Sequence, residues 1–355
     1  MKRTRNNAVV YIAALAAALL FPALGWGGGK SDQNRLYIYN WTYYTPDSVI
    51  GKFEQEYGVT VVYDEFASNE DMYAKIKAGG SGYDIVFPSQ DFVSIMISQG
   101  MFEKIDKSRL SNLKNVDPAV LQKATYDPGM EYSVPYYFGA AGIAVNTAKV
   151  PSFERSWSIF ARTDLKDRMT MLDDMREVMG DALKYLGYSV NTANAAEINA
   201  ARDLINDKWK PNLVKFDAEA FGKGYADGEF WVVQGYPEVV FEEIGGNEQL
   251  RNDTVFFIPP EGGPSYIDSM CILKGSKHID LAHKFIDFIH RPEIYAEFCD
   301  YFGFPATVNI PARQYKQGVS HYDAGELART ELKYDLGETL ELYNTVWFDS
   351  IRAGN

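Results

Sequence analysis

Cysteine and histidine are scarce in this chain, with two Cys and four His among 355 residues. No CxxC occurs, and His278, His283, His290 and His321 lack the i, i+4 spacing of a helical zinc pair. No metal and no cofactor is therefore expected. Cys271 and Cys299 are able to pair in an oxidising compartment; the alternative is two small buried thiols. GxSxG, GxxxxGK[ST] and Ser-His-Asp arrangements are also missing, which removes the commonest hydrolase and nucleotide-binding signatures. Basic residues are in deficit: 35 Lys+Arg stand against 48 Asp+Glu, a net charge of −13. A body of that sign repels phosphate backbones and attracts cations, so nucleic acid is excluded as a partner. Beyond the first 25 residues no run is long and apolar enough to span a bilayer.

What is present begins at the N-terminus. Lys2, Arg3 and Arg5, an apolar stretch over 8–20 and Ala23-Leu24-Gly25 form a signal-peptide layout over residues 1–25. The apolar stretch is shorter than a spanning helix. No Cys stands near Gly25 to carry a lipid, so the mature chain is expected to be exported and periplasmic. Aromatic residues make up 14% of the chain, with 24 Tyr. Acid together with aromatic surface is the first hint of ligand type.

Strands over 36–40, 59–65 and 83–88 alternate with helices over 47–57, 69–78 and 92–99, which predicts a parallel α/β sheet covered on both faces. Further strands are expected over 141–146, 230–234, 254–258 and 266–273, and helices over 175–186, 194–209 and 279–290. The Gly-rich run at 78–82 follows a helix and precedes a strand, the reverse of a phosphate cradle, and reads as a helix end and turn. No low-complexity linker separates the halves. Two α/β domains joined by several short crossings, with a cleft between them, are expected.

Asp174 and Glu177 share one helix face at i, i+3 and are able to receive one ammonium together; they equally read as an N-cap and its capping-box partner. Beside a helix N-terminus both carboxyls are expected to be pushed down. A carboxylate pair also suits glycoside hydrolysis, which instead requires one raised pKa. Trp41-Thr42-Tyr43-Tyr44 follows the first strand, and Ser89-Gln90-Asp91 the third. Both lie at carboxyl ends of strands, where ligand crevices form, although aromatic packing on the sheet end explains the first equally well. Tyr266 and Asp268 alternate to one side of a strand, where Asp268 also reads as a solvated residue.

The runs LYIYNWTYYTP, SNEDMYAKIKAGGSGYDIVFPS, DDMREV and YIDS, in this order, resemble the polyamine-binding proteins of bacterial ABC transporters over about residues 36–354. The resemblance implies a two-lobed α/β periplasmic-binding-protein fold, type II-like. Each lobe would be a mainly parallel sheet flanked by helices, joined by hinge crossovers. Residues 30–140 plus 267–312 would form lobe 1, and 141–266 plus 313–355 lobe 2. It implies a monomeric, non-catalytic receptor that closes on spermidine or putrescine and serves a membrane permease; a receptor for another small cation is the alternative. Carried over by position, Trp41, Thr42, Tyr44 and Ser89 match ligand contacts, and Asp174, Glu177 and Asp268 match the amine-binding acids. Tyr236 and Tyr266 stand where the family usually has Trp, and Phe304 where it often has Tyr. Tyr43 replaces a family acid and Asp91 a family Tyr, so Asp91 is expected to supply the charge missing at Tyr43. The family's polar contact near the C-terminus, in the neighbourhood of Tyr334, is not assigned to a residue.

Overall fold

Residues 34–42, 44–79 and 82–353 are described by the computed structural model of the chain; the signal-peptide layout and Tyr43 lie outside them. Eleven strands are formed among these residues: β1 (Arg35–Trp41), β2 (Thr60–Phe66), β3 (Ile85–Val86), β4 (Ser133–Ala140), β5 (Gly142–Asn146), β6 (Met169–Met171), β7 (Leu213–Phe216), β8 (Val232–Gly235), β9 (Thr254–Phe257), β10 (Pro264–Ile272) and β11 (Glu331–Leu332). They build two sheets. The first runs β11-β10-β3-β1-β2 with β4 also on β10, and the second runs β7-β6-β8-β5-β9.

The expected alternation holds at the start of the chain. Leu36 and Ile38 face one layer of the first sheet and Tyr39 the other, and all three are buried, as a strand covered on both faces requires. The Asp47–Tyr57 helix then turns Val49 and Phe53 onto that sheet. Ser68 caps the Asn69–Lys77 helix by accepting from the Asp71 amide at 3.1 Å. Ala78 caps the C-terminus of this helix and Gly79 follows at φ +85°.

Both sheets are mixed, where mainly parallel sheets were expected. β1 pairs with β2 and β3 in parallel, but β10 enters antiparallel to β3 and to β4. In the second sheet β6 is parallel to β7 and β8, while β5 is antiparallel to β8 and β9. The crossings between the sheets are short: β4 leaves the first sheet and β5 opens the second with only Ala141 between them. A second crossing runs from β9 to β10. The chain then returns late: β11 pairs with β10 of the first sheet, inside the 313–355 segment expected in lobe 2. After β11, Tyr343, Val346, Trp347 and Ile351 pack into the core of the second sheet.

Cys271 in β10 and Cys299 in the Pro292–Phe302 helix are both buried and free. Among the described residues no helix is long and apolar enough to cross a membrane.

Candidate functional site

The carboxyl ends of β1 and β3 meet β10, and this junction holds Asp268. The Tyr44 hydroxyl donates to its Oδ2 at 2.6 Å and the Ser89 hydroxyl to its Oδ1 at 2.6 Å. Asp268 is only 4% exposed. Burial carries its carboxyl up to about 7, with the Ser89 and Tyr44 hydrogen bonds holding it down. It is a buried acid, not a solvated strand residue. Asn69 fixes Ser89 from behind, accepting from its amide and donating to its hydroxyl, each at 3.1 Å.

Aromatic rings surround this acid. Tyr44 meets Tyr136 edge-on at 5.3 Å and Phe304 at 6.3 Å. Phe304 is fully buried and stacks on Tyr137 at 4.1 Å, so it backs the wall that Tyr44 forms. Gly303, at φ +64°, turns the chain into Phe304, and a Cβ there would meet the His321 ring at 2.1 Å. Trp41 is half-buried at the end of β1: its indole Nε1 donates to the Phe87 carbonyl at 2.8 Å and its ring lies 4.6 Å from Phe66. Thr42, beside it, is exposed. From the second sheet Tyr236 reaches Tyr266 of β10 edge-to-face at 5.9 Å.

The second sheet also contributes acids. Asp174 is the N-cap of the Met175–Tyr185 helix, accepting from the Arg176 and Glu177 amides at 2.9 and 3.0 Å. Glu177 does not complete a capping box; its Oε1 pairs with the Lys333 ammonium instead. The expected downward push on Glu177 is reversed. Its side chain is fully buried, and burial pushes the carboxyl up, opposed by Lys333 and assisted by Asp174. One turn further, Asp181 is also fully buried, and neither of its oxygens has a hydrogen-bond partner.

Three charged groups escaped the sequence reading. Glu238 follows Tyr236 at the start of the Pro237–Ile244 helix, and burial carries its carboxyl up to about 8, with the Asp268 charge adding. Its Oε2 has no hydrogen-bond partner. Glu70 feels Asp174 and Asp91. Lys333 sits one residue past β11 with a side chain 12% exposed. Although burial opposes its charge, Glu177, Asp174 and Asp91 together push its ammonium up. The same cation acts on Asp268 and Glu70. The acid after Tyr236 carried a signal, since a Glu beside a matched aromatic position was open to inspection; Lys333 carried none.

Direct contacts thus group Tyr44 and Ser89 with Asp268 and bring Tyr236 against Tyr266, while Asp91, Asp174 and Glu177 share the field of Lys333; Trp41 packs on Phe66 and Phe87 at the end of β1. A separate cavity of about 670 Å³ is lined by Arg155, Arg313 and Lys316 together with Asp323 and Glu326, and burial lowers His321 beside them to about 4, so it is neutral there.

The family described as bacterial extracellular solute-binding protein matches residues 48–317. The chain is 36% identical to the spermidine/putrescine-binding periplasmic protein of Salmonella typhimurium, across 96% of this chain and 97% of that protein. It is 34% identical to the putrescine-binding periplasmic protein SpuD of Pseudomonas aeruginosa, across 78% of each. Among solved structures, the Tp0655 (TpPotD) lipoprotein of Treponema pallidum superimposes with a TM-score of 0.86 at 52% identity, covering 89% of this chain and 99% of that one.

Proposed function

The chain belongs to the bacterial extracellular solute-binding proteins, and we propose that it captures a linear polyamine between its two lobes and hands it unaltered to an ABC permease. The proposed lobes are 30–140 plus 267–312 and 141–266 plus 313–355, although Pro264–Tyr266 of β10 and β11 pair within the first sheet. The relatives' names support the ligand class, and their periplasmic location supports export by the N-terminal segment.

The observation that carries this reading is the meeting of buried acids and tyrosine rings from both sheets around Asp268 and Glu177. A polyamine is methylenes separated by ammonium groups. Each buried CH₂ contributes roughly 0.8 kcal/mol, which ring walls collect. A desolvated ammonium needs a carboxylate or an aromatic face. Asp268 and Glu238, both raised by burial, gain most when a cation arrives beside them. Trp41, Thr42, Tyr44, Ser89, Asp91, Asp174, Tyr236 and Tyr266 complete the proposed contacts, with Phe304 behind Tyr44.

Turnover is not favoured by the geometry. Glu177 faces Lys333 and Asp174 caps a helix, so this pair is not arranged as an acid and base flanking a scissile bond. Titration calorimetry with putrescine, cadaverine, spermidine and spermine tests the proposal. Micromolar or tighter binding of at least one is expected, and failure to bind any of the four overturns it.

A further inference from the structure

Lys333 is held from both sides of the cleft. Its amide donates to the Ser265 carbonyl of β10 at 3.2 Å, and its carbonyl accepts from Gln90 Nε2 at 2.8 Å. Gln90 is itself fully buried and takes the Ile267 amide on its Oε1 at 2.9 Å. The neighbours of Lys333 are tied to the second lobe: Asn191 donates to the Leu332 carbonyl at 2.8 Å and accepts from the Tyr334 amide at 2.9 Å. The backbone is thus a fixed base, and the butyl stem projects its ammonium onto Glu177.

A primary ammonium at the end of four methylenes is chemically one end of a polyamine. We propose that Lys333 is a tethered internal amine that occupies the ammonium position at Glu177 and so makes the cleft select a short diamine over a longer triamine. The inference rests on the polyamine reading and adds the basis of its selectivity. With Glu177 already neutralised, the acids left for a ligand are those toward Asp268, together with Asp174 and Asp91, which Lys333 shares. A two-charge ligand is met without disturbing the pair. A third ammonium must either lie beside the Lys333 ammonium, where like charges repel, or displace it and leave a buried cation without its carboxylate.

The test is calorimetry with putrescine and spermidine on the parent, Lys333→Gln and Lys333→Arg, with circular-dichroism melts to confirm folding. The parent is expected to bind putrescine more tightly. Lys333→Gln is expected to shift the spermidine-to-putrescine affinity ratio at least tenfold toward spermidine, while Lys333→Arg, which keeps the charge, holds the parental ratio. Lys333→Met repeats the removal with an apolar stem should Lys333→Gln not fold. Binding of both amines with a ratio that stays within threefold in the charge-removed variant overturns the selectivity role and leaves the polyamine reading standing. Absence of any amine binding in the parent overturns the reading itself.

Discussion

The Tyr44 hydroxyl donates to Asp268 Oδ2 across 2.6 Å, joining residues 224 positions apart in the chain. The bond ties the aromatic loop after β1 to the central strand β10. Ser89, from the end of β3, takes the other oxygen. Three separate segments thus aim one carboxylate, which tyrosine rings surround and the Lys333 charge reaches without a direct bond. An acid so placed is costly to ionise alone and strongly rewarded by an incoming ammonium.

Replacing Asp268 with Asn keeps the shape and removes the counter-charge. Removal of one partner from a buried ion pair costs about 3–5 kcal/mol, roughly two to four orders of magnitude in Kd. Calorimetry of Asp268→Asn with the parent's preferred amine checks this. An unchanged affinity would take Asp268 out of the site.

Polyamine affinity should rise with pH through neutrality. The Asp268 carboxyl of the free protein titrates at about 7, and only its ionised form attracts an ammonium. Below that value each pH unit withdraws the charge tenfold, so binding at pH 6 should be about tenfold weaker than at pH 8. Glu238, raised to about 8, acts in the same direction. Below the midpoint, binding should release a proton, visible as a heat that changes with the buffer's ionisation enthalpy. Tyr44→Phe removes one hydrogen bond that holds Asp268 down, so its midpoint should move upward. A flat profile between pH 6 and 8 in the parent argues against this role.

Much of this arrangement could be read in advance where local pattern and tertiary structure agree. The expected helix over 47–57 is Asp47–Tyr57, and the positions at the ends of β1 and β3 do border the buried acid. Strand β4 was not legible, because Pro135 breaks its pattern. In the fold the register between β10 and β4 slips at Asp268–Ser269, opposite Tyr137 and Pro135, and a bulge accommodates a proline inside a sheet. Lys333 follows a strand of two residues, which exists only because β10 offers an edge to pair with. No periodicity around it signals that its ammonium reaches Glu177. Glu238 stands beside a matched aromatic position, but its first-turn place in a helix did not show that its carboxyl would share a field with Tyr236, Tyr266 and Asp268.

Asp91 begins the helix after β3, partly buried and within electrostatic reach of Lys333, Glu70 and Asp268. If it stands in for the acid missing at Tyr43, Asp91→Ala should weaken amine binding about fivefold, the scale of a partly solvated ion pair near 1 kcal/mol. Equal Kd values for variant and parent would mean that the lost charge is not replaced from this loop.

Asp181 tests the energetics behind the site rather than ligand contact. It lies one helical turn past Glu177, and both oxygens lack hydrogen-bond partners. Burial, with the Glu177 charge adding, pushes its carboxyl well above the usual carboxylate range. The folded protein therefore keeps a proton that the unfolded chain gives up above about pH 4. Stability then falls as pH rises from about 4 toward the raised folded value. Asp181→Asn removes that titration, since the amide is neutral in both states. At pH 7 the variant should be the more stable, because between the unfolded value and the raised folded value the parent loses up to about 1.4 kcal/mol per pH unit. Near pH 4 the difference should shrink, because the unfolded parent is then largely protonated as well. Asp268 and Glu238 titrate in the same sense in both proteins and cancel in the comparison. Denaturant melts of the two proteins at pH 4, 5.5 and 7 measure the effect. A variant less stable than the parent at pH 7 would show that Asp181 is ionised and held by a partner in the folded state.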